Sequence, residues 1–326
     1  MGVMALTFDE GTLGLRRVVV PTAVGDVVVR TGRRSGETAT ILLHGAAGSW
    51  TTWTPLIEAS DAGSSPLADV IAVDLPGWGE SPDAAAPPRE NLPGQYADVS
   101  VTGLAQATAQ IARHLGYERW RIIGHSLGGL IALDLAALEP AATSSVTLVS
   151  GTGRGVLDAI RRPVRGGLRL PWFAGMLLIM RALSPVDAGA RRLVRVLHSA
   201  HLLATLSAPL FDDRRPVDQS AVEALSAEVR PRSFARAARA AKVYNESVWR
   251  DIRCPVRSIR GERDAFVRAD DGAGFASLIH DFAEVTVSNA GHFAALEHPD
   301  AVLDVLAHLE VTRRGHPART ADTLGA

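Results

Sequence analysis

Five residues constrain this chain more than any others: Gly124-His125-Ser126-Leu127-Gly128, set between a β-prone apolar stretch, Arg119 to Ile123, and an apolar helical stretch, Leu130 to Leu138. A strand that enters a helix through so short a turn forces its central residue into a strained backbone conformation. Glycines on either side remove the side chains that would collide across the turn. The turn pushes the Ser126 hydroxyl outward from the sheet edge, and the N–H of Leu127 at the helix start has no intrahelical partner and faces the same space. Nucleophile and anion donor are thereby placed together.

A serine used this way needs a histidine to take its proton and a carboxylate to orient that histidine, and after such a turn the order is Ser, acid, His. The acid is sought in Cys254 to Asp264, where a short strand ends at Gly261 and a loop presents Glu262 and Asp264. Asp264 is preferred for its shorter side chain at the loop's tip, and Glu262 is the alternative. The histidine is sought in Val285 to Phe293, a strand and turn with Gly291 beside His292. A loop at a strand's end is where a general base reaches a neighbouring strand's nucleophile. His198 and His201 could share a face, but no third ligand accompanies them and no metal site is expected.

A second glycine-containing loop follows the apolar strand Thr40 to Leu43: His44-Gly45-Ala46-Ala47-Gly48-Ser49. Small residues let backbone N–H groups approach a ligand closely. The first N–H after Gly45 belongs to Ala46, which with Leu127 would form a two-donor oxyanion hole.

With these residues in view, the chain resembles the α/β-hydrolase family over about residues 15 to 310, apart from one insertion. The resemblance rests on His44 to Ser49, Asp74-Leu75-Pro76-Gly77-Trp78-Gly79-Glu80-Ser81, Gly124 to Gly129, Gly261 to Asp264 and Gly291-His292, in family order. It implies Ser126 as nucleophile, Asp264 as acid, His292 as base, and the N–H groups of Ala46 and Leu127 as oxyanion hole, with Asp74 to Ser81 shaping a tight turn. Serine at the elbow sets the chain apart from the haloalkane dehalogenase and epoxide hydrolase branches, whose nucleophile is aspartate.

The order of elements predicts an α/β fold with a mostly parallel, doubly wound sheet. A hairpin near 17–30 comes first, then strands near 40–43, 69–73, 119–123, 145–149, 255–260 and 284–288, alternating with helices. The stretch 152–245 breaks this alternation. Rich in Arg, Leu and Ala, it is expected as a helical cap after the sixth strand, between core segments 1–151 and 246–312, with a tail over 313–326. Within it, Trp172 and Met176 are candidates for an apolar substrate wall.

At 326 residues and 47% hydrophobic the chain can bury a large core and an accessory lobe. A net charge of −1 gives no reason to expect nucleic acid as partner. The single cysteine, Cys254, excludes an internal disulfide and fits a reducing compartment. No secretory signal is evident, and the longest apolar run, Leu170 to Met180, is short of the ~20 residues a span requires. A cytoplasmic location without stable membrane insertion is the expectation.

The expected activity is hydrolysis of a small or medium apolar carboxylic ester through an acyl-enzyme, without metal or organic cofactor. Thioesterase, lactonase, carbon–carbon bond hydrolase and acyltransferase chemistry could use a similar triad. A non-catalytic ligand receptor is the alternative from another class.

Overall fold

A computed structural model describes residues 5–63, 65–83, 100–199, 207–212 and 217–315. His201 and the tail from 316 onward lie outside the described residues. Eight strands form one sheet: β1 Leu15–Thr22, β2 Gly25–Gly32, β3 Thr38–Leu43, β4 Val70–Val73, β5 Arg119–His125, β6 Thr143–Val149, β7 Val256–Gly261 and β8 Phe282–Val287. Their order is β1-β2-β4-β3-β5-β6-β7-β8. The β1/β2 hairpin and its junction with β4 are antiparallel, and the other pairings are parallel.

The apolar runs of the central strands are explained by burial on both faces. Ile41 and Leu43 of β3 point into a core shared with Ile111 of α2 (Val101–His114) and Leu130 of α3 (Leu127–Leu138). Leu42, between them, points the other way, towards Leu56 and Ile57 of α1 (Thr54–Ala62). Successive side chains of a strand face opposite sides, so a run without polar alternation demands helices on both. The fold is therefore α/β with a doubly wound, mostly parallel sheet. Because β3 lies between β4 and β5, the chain reverses its direction of travel across the sheet there. Ligands of such sheets bind beside the strands' carboxyl ends at such a reversal.

Six described helices lie between β6 and β7: α4 Arg154–Arg161, α5 Pro163–Arg169, α6 Pro171–Leu183, α7 Asp187–Ser199, α8 Gln219–Glu228 and α9 Pro231–Val243. Pro163, Pro171 and Pro231 each stand in a first turn, where the missing N–H is harmless, and divide the stretch into short helices. After β7 come α10 Ala269–Ala276, then beyond β8 the short α11 Ala294–Glu297 and α12 Pro299–Gly315. The run Leu170 to Met180 proves to be part of a longer helical stretch. Pro171–Val194, 24 residues, is long and apolar enough to cross a membrane by length and composition, with 22% of the tested window buried.

Two glycines test how tightly α3 docks. A Cβ on Gly128 would collide with the carbonyl oxygens of Leu43 and His44, whereas one on Gly175 of α6 meets nothing within 4 Å. Gly128→Ala should therefore cost roughly 2–4 kcal/mol, lowering the melting midpoint by about 5–10 °C. Gly175→Ala should raise stability by ~0.5–1 kcal/mol through helix propensity. Calorimetry of both variants checks the opposite signs.

Candidate active site

Ser126 sits between the last residue of β5 and the first of α3 with φ 49° and ψ −115°. Neighbouring backbones are close enough to hold it there. A Cβ on Gly124 would strike Gly128 and Gly129, and one on Gly45 would lie 2.9 Å from the Ser126 Cβ. The β3 loop is thus pressed against the elbow. Among the described residues neither the Ala46 nor the Leu127 backbone N–H has a hydrogen-bond partner, and both follow directly on these close contacts.

The direction of the Ala46 N–H is set by a buried histidine. The Leu75 N–H donates to His44 Nε2 at 2.9 Å, so the ring's proton lies on Nδ1, which donates to the Gly45 carbonyl at 2.7 Å. Gly48 N–H donates to the same oxygen. In a trans peptide the C=O and the following N–H point in opposite directions, so drawing the Gly45 oxygen towards His44 turns the Ala46 N–H away from it. The stretch Asp74 to Ser81 supports this arrangement. The buried Asp74 accepts from the Trp50 and Glu80 N–H groups, and the Trp78 ring stands edge-on to His44.

His292 follows β8 and is almost fully buried. Its Nδ1–H donates to Asp264 at 2.9 Å to Oδ1 and 3.1 Å to Oδ2, which leaves Nε2 as the free acceptor. Of the two carboxylates considered, Asp264 is the one that meets the imidazole, while Glu262 is exposed. Burial by itself would raise the Asp264 carboxyl. The adjoining His292 and the N–H groups of Val267 and Phe266 outweigh it and hold the group below the ordinary aspartate range. Phe266 packs edge-on against His292, at 4.7 Å between ring centres. Among the described residues the half-buried Ser126 hydroxyl makes no hydrogen bond.

Two anchors of the His292 loop were not foreseen in the sequence. His125, beside Ser126, donates through Nε2 to the His292 carbonyl at 3.0 Å, linking the elbow to the loop that carries His292. The second anchor comes from the helical segment: His292 N–H donates to the Leu210 carbonyl at 2.8 Å. Glu297 accepts from Gly291 and Asp212 N–H groups, and Arg263 pairs with Asp212. These residues come from four separate places in the chain, Leu210 and Asp212 from the helical segment, Arg263 from the loop after β7 and Glu297 from the end of α11, so no local sequence pattern announces them.

Trp172, expected to line the substrate space, is 42% exposed on the outer face of α6, and the ring turned inward is its neighbour Phe173, which packs on Phe266 at 5.5 Å. Met176 is half-buried against the main core. Two small clefts of mixed lining lie nearby, one touching Leu127 and the other Ala47. One is lined by Trp78, Val101, Leu104 and Leu127 together with Ser233 and the Arg236–Asp83 ion pair. The other includes Ala47, Ala221, Leu225, Phe293 and Leu296. Among the described residues no cluster of three metal-ligating side chains occurs. Cys254 is buried, which pushes its thiol up to about 12.

Residues 40–305 match the model of the alpha/beta hydrolase family, and the chain belongs to that family. Over 144 residues it is 35% identical to the dihydrolipoyllysine-residue acetyltransferase component of the acetoin cleaving system of Cupriavidus necator, covering 42% of this chain and only 32% of that protein. The 2-hydroxy-6-oxononadienedioate/2-hydroxy-6-oxononatrienedioate hydrolase of Burkholderia vietnamiensis is 24% identical over 275 residues, covering 82% of this chain and 84% of that one. Among solved structures, a thermophilic esterase from Thermogutta terrifontis has a TM-score of 0.62 at 18% identity, covering 93% of this chain and 100% of that one.

The two buried histidines make stability depend on pH. Burial is the main cause that lowers His44 from 6.5 to about 4 and His125 from 6.5 to about 3. Above about pH 6.5 both are neutral, folded or unfolded, and contribute no pH dependence. Below it the unfolded chain binds protons that the folded one refuses, so stability falls as pH drops towards 4. Carboxyls raised by burial, Asp74, Asp134 and Glu297 among them, act in the opposite sense over part of this range. The informative quantity is therefore a difference. Between about pH 6.5 and 4.5 the wild type should lose more stability than His125→Asn, measured by denaturant titration at each pH. Parallel curves for the two proteins would contradict a neutral, buried His125.

Proposed function

We propose that the chain is a serine hydrolase that cleaves a small or medium apolar carboxylic ester through an acyl-enzyme. The observation that carries this reading is the Asp264–His292 pair, whose free Nε2 belongs to a loop tied through His125 to the strained turn bearing Ser126. Nε2 takes the Ser126 proton as Oγ attacks the ester carbonyl, and the Ala46 and Leu127 N–H groups receive the negative charge that develops on oxygen. Collapse of the intermediate expels the alcohol, to which the imidazolium returns the proton. Water deprotonated by His292 then attacks the acyl-enzyme and releases the acid, regenerating Ser126. Asp264 holds the tautomer and stabilises the cation in both halves.

The apolar side chains of Trp78, Val101 and Leu104, which line a small cleft with Leu127, favour a substrate with an apolar group beside the reacting carbonyl. The helical segment acts as the cap that closes this cleft through Ala237 of α9. A carbon–carbon bond hydrolase is the second reading, favoured by the Burkholderia relative that is matched over most of its length. Turnover of p-nitrophenyl esters of rising chain length, set beside a thioester, a lactone and the 2-hydroxy-6-oxononadienedioate named for that relative, decides between them.

Ser126→Ala should remain folded and lose activity on the order of 10³-fold or more, since the covalent route is gone. A fluorophosphonate should label the wild type at Ser126 and leave the variant unlabelled. Asp264→Asn should cost far more than Glu262→Gln, by roughly 10²-fold or more, because only Asp264 touches the imidazole. Labelling at another residue, or equal losses in the two carboxylate variants, overturns the assignment.

A further inference from the structure

The helices α5 and α6 turn apolar side chains outward. Val164 and Leu168 are 80% and 83% exposed, and Trp172, Leu178 and Ile179 are 42%, 70% and 55% exposed. In α6 the phase is regular. Phe173 and Leu177 face the core, while Trp172, Leu178 and Ile179 fall on the opposite side. In α5 the inward position belongs to Gly166, whose Cβ would meet the backbone of Ala159, and this turns Val164 and Leu168 to solvent. The two helices touch: a Cβ on Gly167 would lie 3.1 Å from the Ala174 Cβ. Five large apolar side chains on two adjoining helices make a patch that isolated exposed residues do not.

The charges carried by this segment itself have one sign. Between Asp158 and Asp187 the sequence contains no acidic residue and five arginines, Arg161, Arg162, Arg165, Arg169 and Arg181. Arg161 is paired with Glu246, whereas Arg162, Arg165 and Arg169 are exposed on and beside α5. An apolar face rimmed by arginines, with a tryptophan at its edge, is the pattern of a helix lying in the interface of an anionic bilayer.

We propose that α5 and α6 form a docking face for an anionic lipid surface, on which the protein rests without crossing it. Charge decides against a second copy as the occupant. A second copy would present the same cationic face and no acidic side chain from this segment to pair with Arg162, Arg165 and Arg169, whereas an anionic surface complements them. Packing decides against a span, because Phe173 and Leu177 hold the inner side of α6 in the core. The proposal does not depend on the catalytic reading, and Ser126→Ala should dock as the wild type does.

Co-sedimentation of the full chain with vesicles of phosphatidylcholine, alone or mixed with an equal amount of phosphatidylglycerol, tests it. Binding should be at least about tenfold stronger to the anionic vesicles and should weaken as salt rises from about 0.1 to 1 M, where the Debye length shrinks from ~10 to ~3 Å. Each arginine near such a surface strengthens binding roughly fivefold, so Arg162→Gln/Arg165→Gln/Arg169→Gln should bind on the order of 100-fold more weakly. Leu168→Asp/Ile179→Asp should also lose binding, by at least about tenfold. Both variants change exposed positions and should keep the wild-type melting midpoint. Equal binding to the two vesicle types, wild-type binding by the arginine variant, or a dimer in sedimentation velocity that Leu168→Asp/Ile179→Asp dissolves overturns the proposal.

Discussion

A serine with φ near +49° is held against a conformational preference of roughly 1–3 kcal/mol, and the surrounding backbone must over-determine it. Here the Ser126 N–H donates to the Val149 carbonyl, while its own carbonyl accepts from Gly129 and Thr152. The turn is therefore tied to β6, to α3 and to the segment after β6. Satisfying both polar groups of a strained residue removes the main route of relaxation, since any return to an ordinary conformation would leave buried donors or acceptors unpaired. The glycines complete the constraint by excluding space rather than adding bonds. Gly124, Gly128 and Gly45 let three backbones approach within distances that a methyl group would forbid.

From that fixed point the rest of the site is aimed largely by backbone polarity. His44 joins the turn after β4 to the Gly45 carbonyl, and His125 joins the elbow to the His292 carbonyl. Both rings serve as neutral connectors, because full burial makes the charged form costly. A charged ring in either place would present donors at both nitrogens, and for His44 one of those donors would face the Leu75 N–H. The same burial acts on Asp264 and would raise its carboxyl, but there an adjoining histidine and two N–H groups outweigh it and favour the ionised form. One site thus keeps two histidines uncharged and one carboxylate charged within a short distance.

Much of this could be read from the chain. The strand, glycine and helix pattern around Ser126 fixes local geometry through sterics, and apolar runs without alternation require helices on both sides of the sheet. The loops after β3, β7 and β8 were placed by the same punctuation. The choice between Asp264 and Glu262 was harder, because both lie in one short loop and only the three-dimensional path of β8 decides which faces His292. The Leu210 carbonyl was out of reach, since a backbone acceptor carries no residue signature. Trp172 and Phe173 show a different limit. Adjacent residues on a helix differ by about 100° in direction, so an apolar run names the helix without its phase unless polar residues mark the outer side. In α6 the outer side is apolar as well, and the marking is missing.

That missing polar side is the feature of α6 that ordinary core packing does not explain. A helix at the surface of a globular protein presents an apolar stripe to the core and polar residues to water. Here the inner stripe of Phe173 and Leu177 is complete, and the outer one adds exposed apolar area whose hydration weakens rather than supports the fold. Arginines on α5 and at the end of α6 keep such a surface soluble without shielding it. The inner stripe reaches the candidate site in two ring contacts, Phe173 to Phe266 and Phe266 to His292. With a helix about 10 Å across, the outer apolar face and the ring that supports His292 are separated by little more than one helix diameter. A lipid surface docked at the outer face would therefore lie about one helix away from the ring that packs on His292, so the proposed docking face and the candidate site are neighbours on the same segment.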